Sequence, residues 1–174
     1  MMAIPSDELL MALTARGDPE AFGRLAARYS GALDGFFRRR LPDDGRVEEL
    51  RQETLLALYA LLPSYREEGR FRPLLYSIAY RRLASALRTE KPAEPLADDL
   101  PAAAANLDAF EIRDAVLALP EGLREALLLT RFEGLSSAEA GDVLGCSPEA
   151  VRARVCRAKS LLARRLGIPT RTKR

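Results

Sequence analysis

Basic side chains are concentrated at one end of this sequence of 174 residues. Between Gly145 and Arg174, nine Lys or Arg residues stand against a single acid, Glu149. The stretch from Thr89 to Asp108 has the opposite character, with five acids and one Lys. A local excess of positive charge favours binding to a polyanion such as nucleic acid. The same residues would also suit the solvated face of an ordinary helical hairpin.

The basic segment carries the local signals of a helix-turn-helix. Ser136 and Glu139 have the spacing of a capping box, and Gly145 can close the short helix that follows. Ser147 can cap the next helix, and Pro148 suits its first position. A short helix that braces a longer basic helix can place the longer one in the major groove of DNA. These signals, in register, favour DNA binding over the plain hairpin.

The second helix of this pair has an inner and an outer side at 100° per residue. The inner stripe comprises Val151, Val155, Ala158 and Leu162. Arg reads guanine in the major groove and also holds phosphates. We therefore predict that Arg152 reads a base and that Arg154, Arg157 and Lys159 hold the DNA backbone. The residues predicted to contact DNA are Ser147, Glu149, Arg152, Ala153, Arg154, Cys156, Arg157 and Lys159.

The elements that must position these residues are all predicted to be helices, since Ala, Leu, Arg and Glu dominate the composition. Apolar residues at helical spacing, with breaks at Pro and Gly, predict helices over residues 6–15, 19–40, 46–62, 73–88, 108–119, 121–132 and 137–144 and from Pro148 onward. Residues 89–107 are rich in Pro, Ala and acids, which is typical of a flexible linker. We therefore predict an all-α fold of two small helical domains, residues 1–88 and 108–174, joined by that linker.

Several kinds of chemistry are excluded by composition. The chain has no His and only two cysteines, Cys146 and Cys156. Ten residues of helix span about 15 Å, too far for a disulfide, and two thiols are too few for a zinc site. Acidic pairs such as Glu48-Glu49 are all that remains for acid–base catalysis, so we predict a protein that is not an enzyme and has no cofactor or metal. No apolar run reaches the roughly 18 residues of a membrane span, and the N-terminus is unlike a signal peptide, so a cytoplasmic protein is expected.

Five segments resemble bacterial RNA polymerase sigma factors. The promoter-binding C-terminal domain of that family is similar to ALPEGLREALLLTRFEGLS and to GLSSAEAGDVLGCSPEAVRARVCRAKSLLARRL. Its N-terminal domain is similar, in order and spacing, to GDPEAFGRLAARY, VEELRQETLLALY and FRPLLYSIAYRRLASALR. The resemblance runs from about Gly17 to Leu166, and the lack of other sigma domains indicates the extracytoplasmic-function (ECF) subfamily. The alternative, a helix-turn-helix regulator or helical adaptor without polymerase contact, gives no reason for the N-terminal segments.

The resemblance implies roles for the N-terminal helices. The EELRQE segment is similar to the site that grips the coiled coil of the polymerase β′ subunit, and the matching residues are Glu49, Leu50, Gln52 and Glu53. On its own this segment would be read as a solvated face. The loop from Ser64 to Phe71 and the next helix resemble the segment that opens DNA at the minus-ten element. Stacking and backbone contacts are assigned there to Tyr65, Arg66, Phe71, Arg72, Tyr76, Tyr80, Arg81 and Arg88. At least one of Phe71 and Tyr76 is expected in the core.

The partners implied by the family are core RNA polymerase, through its β′ coiled coil and β subunit, and promoter DNA. The C-terminal domain would bind the minus-thirty-five element, and the target genes would respond to stress or another signal. An anti-sigma factor, which in this family can be membrane-bound, is also implied.

The sequence departs from the family pattern at a few positions. Leu74 stands where tryptophan is usual, and Arg81 and Ser85 stand where Asn and Asp are common. Ala140 and Gly141 replace the usual Ile-Ala pair of the bracing helix. These positions bear on DNA opening and on helix-turn-helix packing.

Overall fold

The computed structural model describes residues 5–41, 45–65, 69–89 and 109–168. Every regular element in these ranges is a helix, which confirms the predicted all-α fold. The chain divides into two compact units, Met1–Lys91 and Pro92–Arg174. The predicted linker, apart from Thr89 at the end of a helix, lies outside the described residues.

The described residues of the N-terminal unit form four α-helices. They are α1 (Asp7–Ala15), α2 (Pro19–Arg38), α3 (Val47–Leu61) and α4 (Phe71–Thr89), and a single 3-10 turn (Leu62–Ser64) follows α3. Helices that follow one another in the chain pack together, α1 on α2, α2 on α3 and α3 on α4. The predicted helices are confirmed with shifts of about two residues at their ends.

The first two helices begin at the residues whose side chains cap them. The Ser6 hydroxyl accepts a hydrogen bond of 3.2 Å from the backbone N–H of Leu9. The Asp18 carboxylate accepts from the N–H groups of Glu20 and Ala21, at 2.9 and 3.2 Å. Such caps satisfy N–H groups that have no partner within the helix, which is why these starts could be predicted locally.

Large apolar side chains from all four helices form the core of this unit. Phe36 and Phe37 are fully buried and meet edge to face, with ring centroids 5.1 Å apart. Phe36 also lies 5.6 Å from the ring of Tyr76. The other almost fully buried large side chains are Leu10, Met11, Leu25, Leu33, Leu50, Leu58, Phe71 and Leu75.

Two details at the ends of α3 and α4 differ from the prediction. Helix α4 begins at Phe71 and not at Pro73. Its first hydrogen bond of the helical type runs from the Leu74 N–H to the Arg70 carbonyl, so the missing N–H of Pro73 interrupts nothing. Helix α3 ends at Leu61, which is 41% exposed, and Leu62, predicted as the last residue of that helix, is buried in the 3-10 turn instead.

The C-terminal unit contains α5 (Ala109–Leu117), α6 (Glu121–Arg131), α7 (Ser137–Leu144) and α8 (Pro148–Arg165). Helix α8 packs against both α6 and α7. One of its core clusters comprises Leu119, Leu123, Leu127, Val155, Ala158, Leu161 and Leu162. Val151 is also fully buried, so the predicted inner stripe of α8 is confirmed.

Both cysteines of this unit are free thiols, Cys146 half-buried and Cys156 exposed. In the described parts of the two units, no helix is both long and apolar enough to cross a membrane.

Candidate nucleic-acid and partner interfaces

Short-range hydrogen bonds fix the start of α7 and the start of α8, and a glycine forms the turn between the two helices. The Ser136 hydroxyl accepts from the Glu139 N–H at 3.2 Å, and the Glu139 carboxylate accepts from the Ser136 N–H at 2.8 Å. Gly145 ends α7 in the left-handed region at φ 64°, where an L side chain is disfavoured. The Ser147 hydroxyl then accepts from the Ala150 N–H at 3.2 Å and starts α8. The predicted helix-turn-helix geometry is confirmed.

The packing of α8 decides which of its sides faces outward. Val151 of α8 and Ala140 of α7 are both fully buried. Two turns further along α8, Ala158 is fully buried against Leu119 and Leu127. With these three small or branched residues directed inward, the Arg-rich side of α8 is left on the surface.

The outer side of α8 presents seven of the eight residues predicted to contact DNA. Arg152, with 59% of its side chain exposed, pairs with Glu149 one turn earlier, at 2.5 Å. A surface pair of this kind contributes little to stability, so Arg152 can exchange Glu149 for another acceptor at small cost. The seven exposed residues are Ser147, Glu149, Arg152, Ala153, Cys156, Arg157 and Lys159.

Glu149 is held in its charged form. Its own backbone N–H and the hydroxyl of Ser147 donate to the carboxylate and lower the pKa of Glu149 below its ordinary value, and Arg152 adds to the effect. The first turn of a helix favours negative charge for the same reason. In the free protein, therefore, a charged Glu149 keeps the Arg152 guanidinium beside the start of α8.

Arg154, predicted to hold phosphates, does not belong to the exposed side of α8. It is half-buried, and its guanidinium donates to the Cys146 thiol sulfur at 3.5 Å. It also lies beside α6, where a Cβ on Gly122 would stand 3.8 Å from its guanidinium carbon. Arg154 therefore braces the turn against α6, because its long side chain lies along the neighbouring surface while its charge stays partly exposed.

A shallow groove beside the outer side of α8 contains residues that the sequence did not single out. It encloses about 420 Å³, and α8 contributes Arg152, Cys156 and Lys159 to it. Arg131 at the end of α6 and Ser137 at the start of α7 line the same groove. Only the packing of α6 and α7 on α8 brings these two residues there, and neither is marked by a motif or by helical spacing.

The predicted polymerase-binding face of α3 is polar and partly exposed. Glu49, whose side chain is 57% exposed, pairs with Arg46 at 3.3 Å. Gln52 is exposed and donates to the Glu48 carboxylate at 3.1 Å. Both contacts are local pairs on the surface of α3, which a partner can replace.

Two other residues predicted for this face are placed differently. Glu53 is half-buried and lies 4.0 Å from the guanidinium of Arg82 on α4. Leu50 is only 1% exposed, so its assignment to the polymerase-binding face is wrong. The side chain belongs to the apolar stripe by which α3 packs within the unit.

Phe71 and Tyr76, both predicted to stack on opened DNA, belong to the core instead. Each is 2% exposed. Phe71 meets Tyr29 of α2 edge to face at 5.1 Å, and Tyr76 lies against Phe36. Their assignment as DNA-stacking surfaces is therefore wrong, because aromatic spacing along α4 does not tell a buried ring from an exposed one.

The other residues predicted to act in DNA opening keep accessible surface, as far as the structure describes them. Arg81 and Arg88 on α4 are exposed. Tyr65, Arg72 and Tyr80 are half-buried, and Arg66 lies outside the described residues. Of the positions that depart from the family pattern, Ser85 is exposed and lines a groove of about 370 Å³ with Arg81.

Comparisons with known proteins match both units to one family. The model of sigma-70 region 2 matches residues 25–92, and the model of sigma-70 region 4 matches residues 109–162. The two matches cover the polar face of α3, helix α4 and the helix-turn-helix. A helix-turn-helix regulator without polymerase contact would leave the first match unexplained.

Curated relatives and solved structures agree with these models. RNA polymerase sigma factor NccH of Alcaligenes xylosoxydans is 32% identical, over 92% of this chain and 95% of its own. Sigma factor CnrH of Cupriavidus metallidurans is 30% identical, over 91% and 93%. A structure of CnrH in complex with the cytosolic domain of CnrY superimposes with a TM-score of 0.73 at 28% identity, covering 90% of this chain and 94% of that one. The fold also matches sigma factor RpoE from Bartonella quintana, with a TM-score of 0.72 at 23% identity over 86% and 98%.

A sigma factor is a transcription initiation factor and not an enzyme, and both family matches therefore indicate a protein that is not an enzyme. Curated relatives include ECF sigma factors, such as the sigma-E factor of Escherichia coli at 28% identity over 90% of this chain and 92% of its own. The chain belongs to the sigma-70 family of RNA polymerase sigma factors and, within it, to the ECF subfamily.

Proposed function

We propose that this sigma factor divides its work between its two units. The N-terminal unit binds core RNA polymerase through the exposed polar face of α3 and opens DNA at the minus-ten element beside α4. The C-terminal unit binds the minus-thirty-five element through the outer side of α8. The observation that carries the proposal is the exposed Arg152–Glu149 side of a helix-turn-helix, in a chain whose other unit matches sigma-70 region 2.

On α8, the side chains support a division between a residue that reads base edges and residues that hold DNA phosphates. Arg152 sits in the second turn of α8, where a recognition helix approaches base edges, and its planar guanidinium can bind a guanine through two hydrogen bonds. Arg157 and Lys159 lie further along the exposed side, where they suit phosphates. Arg131 and Ser137 extend the same surface beyond α8.

On α3 and α4, the proposed roles rest on exposed charge. Glu49 and Gln52, with Glu53 beside them, present carboxylates and an amide that suit a basic partner helix such as one strand of the β′ coiled coil. Contacts to the β subunit are expected elsewhere on the chain. Arg81 and Arg88 supply cations along α4 for the opened DNA strand, and Tyr65 and Tyr80 supply ring surface.

We further propose an anti-sigma factor as a regulatory partner. The structure of CnrH, which is similar to this chain, holds the cytosolic domain of CnrY. By the same logic this sigma factor would act in the cytoplasm, on genes that answer a stress or another signal, when its partner releases it. The partner is expected to reduce core-polymerase binding in a titration and to be displaced by excess core enzyme.

In vitro transcription with bare core polymerase and a promoter library tests the central proposal. The added chain is expected to produce discrete transcripts from a subset of promoters, and core enzyme alone is expected to produce none of them. If the chain fails to bind core polymerases from several bacteria, the proposal is wrong.

A further inference from the structure

One carboxylate on α1 holds two separate points of the segment proposed to open DNA. An oxygen of Glu8 accepts a hydrogen bond of 3.0 Å from the backbone N–H of Phe71. The other oxygen of Glu8 accepts from the phenol hydroxyl of Tyr65. These partners lie 63 and 57 residues away in the sequence, so no local pattern marks Glu8 for either contact.

The first of these contacts caps α4 from a distance. Phe71 is the first residue of α4, and the N–H groups of a first helical turn have no partner within the helix. A carboxylate satisfies one of them and places negative charge at the positive end of the helix dipole. The buried ring of Phe71 packs on Tyr29, whose hydroxyl donates to Asp7 at 2.5 Å. The start of α4 is thus fixed through its ring as well as through Glu8.

The second contact restrains an aromatic ring that is still accessible. Phe71 and Tyr76 are buried, so Tyr65 and Tyr80 are the two rings of the described DNA-opening set that keep exposed surface. Tyr65 is tied at its hydroxyl while its ring remains only half-buried. A ring already held in one orientation loses less conformational entropy when a base stacks on it.

We propose that Glu8 is a positioning residue for promoter opening: it holds the Tyr65 ring against the start of α4, ready to stack on an unpaired base. This inference rests on the proposed function of the N-terminal unit. The buried packing of Phe71 also secures the start of α4, whereas the contact of Glu8 with Tyr65 is made to the hydroxyl of a ring that stays half-buried. Glu8 therefore acts on the opening step more than on the fold.

Transcription from two versions of one promoter tests the inference. One template is fully duplex, and the other carries a non-complementary minus-ten region that is open from the start. Immobilising a side chain of this size corresponds to roughly a three- to tenfold effect on a binding equilibrium. Glu8→Ala is expected to lower transcription from the duplex by roughly that factor and to leave the open template near wild type, where opening no longer limits the rate.

Three further variants make the test specific. Tyr65→Phe keeps the ring and removes the tethered hydroxyl, so it should show part of the same duplex-specific loss. Combined with Glu8→Ala it should add little, because both changes break the same contact. Glu8→Gln keeps one acceptor oxygen and should fall between wild type and Glu8→Ala. Asp18→Ala is the control, because it removes a comparable helix-capping carboxylate, that of α2, from the same unit. It should not lower transcription from one template more than from the other.

The outcomes separate the inference from the function on which it rests. Any of three results would overturn the role of Glu8. They are full activity of Glu8→Ala on the duplex template, an equal loss of activity on both templates, and effects that add to those of Tyr65→Phe. If Glu8→Ala does not fold, full duplex activity of Tyr65→Phe overturns it instead. Failure of the wild-type chain to start transcription on either template would count against the proposed function itself.

Discussion

The turn of the helix-turn-helix lies directly on Gly141: a Cβ on this residue would stand 2.5 Å from the carbonyl oxygen of Cys146. The two residues are also joined by a hydrogen bond of 3.0 Å from the Cys146 N–H to the Gly141 carbonyl. The turn therefore folds back against α7 at a position that has no side chain. Gly141 is one of the departures from the sigma pattern, and it permits a closer turn than the usual alanine.

Gly141→Ala is expected to destabilise the C-terminal unit. The new methyl group meets a backbone oxygen, so the turn or α7 must move, and overpacking of this kind costs roughly 1–3 kcal/mol. The gain in helix propensity is about 1 kcal/mol at most and offsets only part of it. Hydrogen exchange of the full chain should show faster exchange in α7 and α8, together with weaker promoter binding.

Gly31→Ala in α2 is the matched control. Gly31 is exposed, and a Cβ there would meet nothing within 4 Å. The same substitution should therefore slow hydrogen exchange in the N-terminal unit, with a gain of about 0.5–1 kcal/mol. If both variants change stability in the same direction, the close contact at Gly141 does not decide the effect.

The starts of helices could be predicted because their causes are local. Ser6, Asp18, Ser136 and Ser147 each lie within three residues of the N–H groups that they cap. The inner side of α8 was also predictable, since Val151 and Ala158 recur at helical spacing and both are buried. Short-range chemistry and periodicity account for these features without knowledge of the tertiary packing.

The remaining features depend on contacts that are distant in the sequence. Leu50 fitted both the apolar stripe of α3 and the family's polymerase-binding segment, and packing placed it in the core. The ring of Tyr76 suggests a stacking surface, yet Phe36 of α2 packs against it and it is buried. Arg154 is positively charged like its exposed neighbours on α8, but its side chain contacts Cys146 and lies beside α6. The cap that Glu8 provides for Phe71 spans 63 residues and has no sequence signal at all.

Replacing Glu49, Gln52 and Glu53 together by Ala is expected to weaken binding to core polymerase at least tenfold. Each residue offers a carboxylate or an amide, and charged contacts at an interface commonly contribute more than 1 kcal/mol each. The fold should persist, because Glu49 and Gln52 are exposed and Glu53 makes only a 4.0 Å contact with Arg82. Affinity for the β′ coiled coil, measured beside helicity by circular dichroism, checks both expectations.

Two controls accompany this variant. Glu20→Ala removes an exposed acid from α2 in the same unit and should leave core binding unchanged. Leu50→Ala should lower stability by about 2–5 kcal/mol, as expected for a buried Leu, and should affect binding only through folding. Unchanged affinity of the triple variant at normal helicity would contradict the assignment of this face.

Glu149 is expected to titrate below its ordinary pKa of 4.5. Its own backbone N–H and the Ser147 hydroxyl are the largest causes, and Arg152 contributes less. Arg152→Ala should therefore raise the pKa of Glu149 only part of the way, whereas Ser147→Ala should raise it and also loosen the start of α8. Carbon-detected nuclear magnetic resonance of the side-chain carboxyl during a pH titration measures both shifts.

The sign of the associated pH dependence follows from this lowered pKa. A carboxyl group with a lower pKa in the folded chain favours folding above its unfolded pKa, and the contribution is lost as the pH falls through the folded value. The hold of Glu149 on Arg152 should thus be complete at neutral pH and be lost only as the pH falls through the lowered pKa of Glu149. A Glu149 that titrates at or above 4.5 in the folded chain would show that these donors do not act on it.

Arg152 and Arg157 are expected to contribute to promoter binding in different ways. Arg152 lies in the second turn of α8, exposed and held by Glu149 at 2.5 Å, and can turn to a base of the minus-thirty-five element. Loss of a bidentate base contact costs about 1–3 kcal/mol and relaxes specificity at one position. Arg157, exposed further along the helix, suits a phosphate, whose loss weakens binding to all sequences and lowers the salt slope by about one unit. Arg152→Ala should therefore change the preferred base at one site, whereas Arg157→Ala should lower affinity with the preference intact.

Selection from randomised promoters, combined with a salt titration of binding, distinguishes the two roles. Arg152→Lys is the matched control, because it keeps the positive charge but not the planar fork that reads guanine. It should lose the base preference nearly as fully as Arg152→Ala while it retains more of the affinity and more of the salt slope. If Arg152→Ala keeps the full base preference, the outer side of α8 does not read DNA through this residue. If Arg157→Ala shifts the base preference instead, Arg157 reads a base. The second half of α8 then lies deeper in the groove than the cap at Ser147 and the exposed Arg152 indicate.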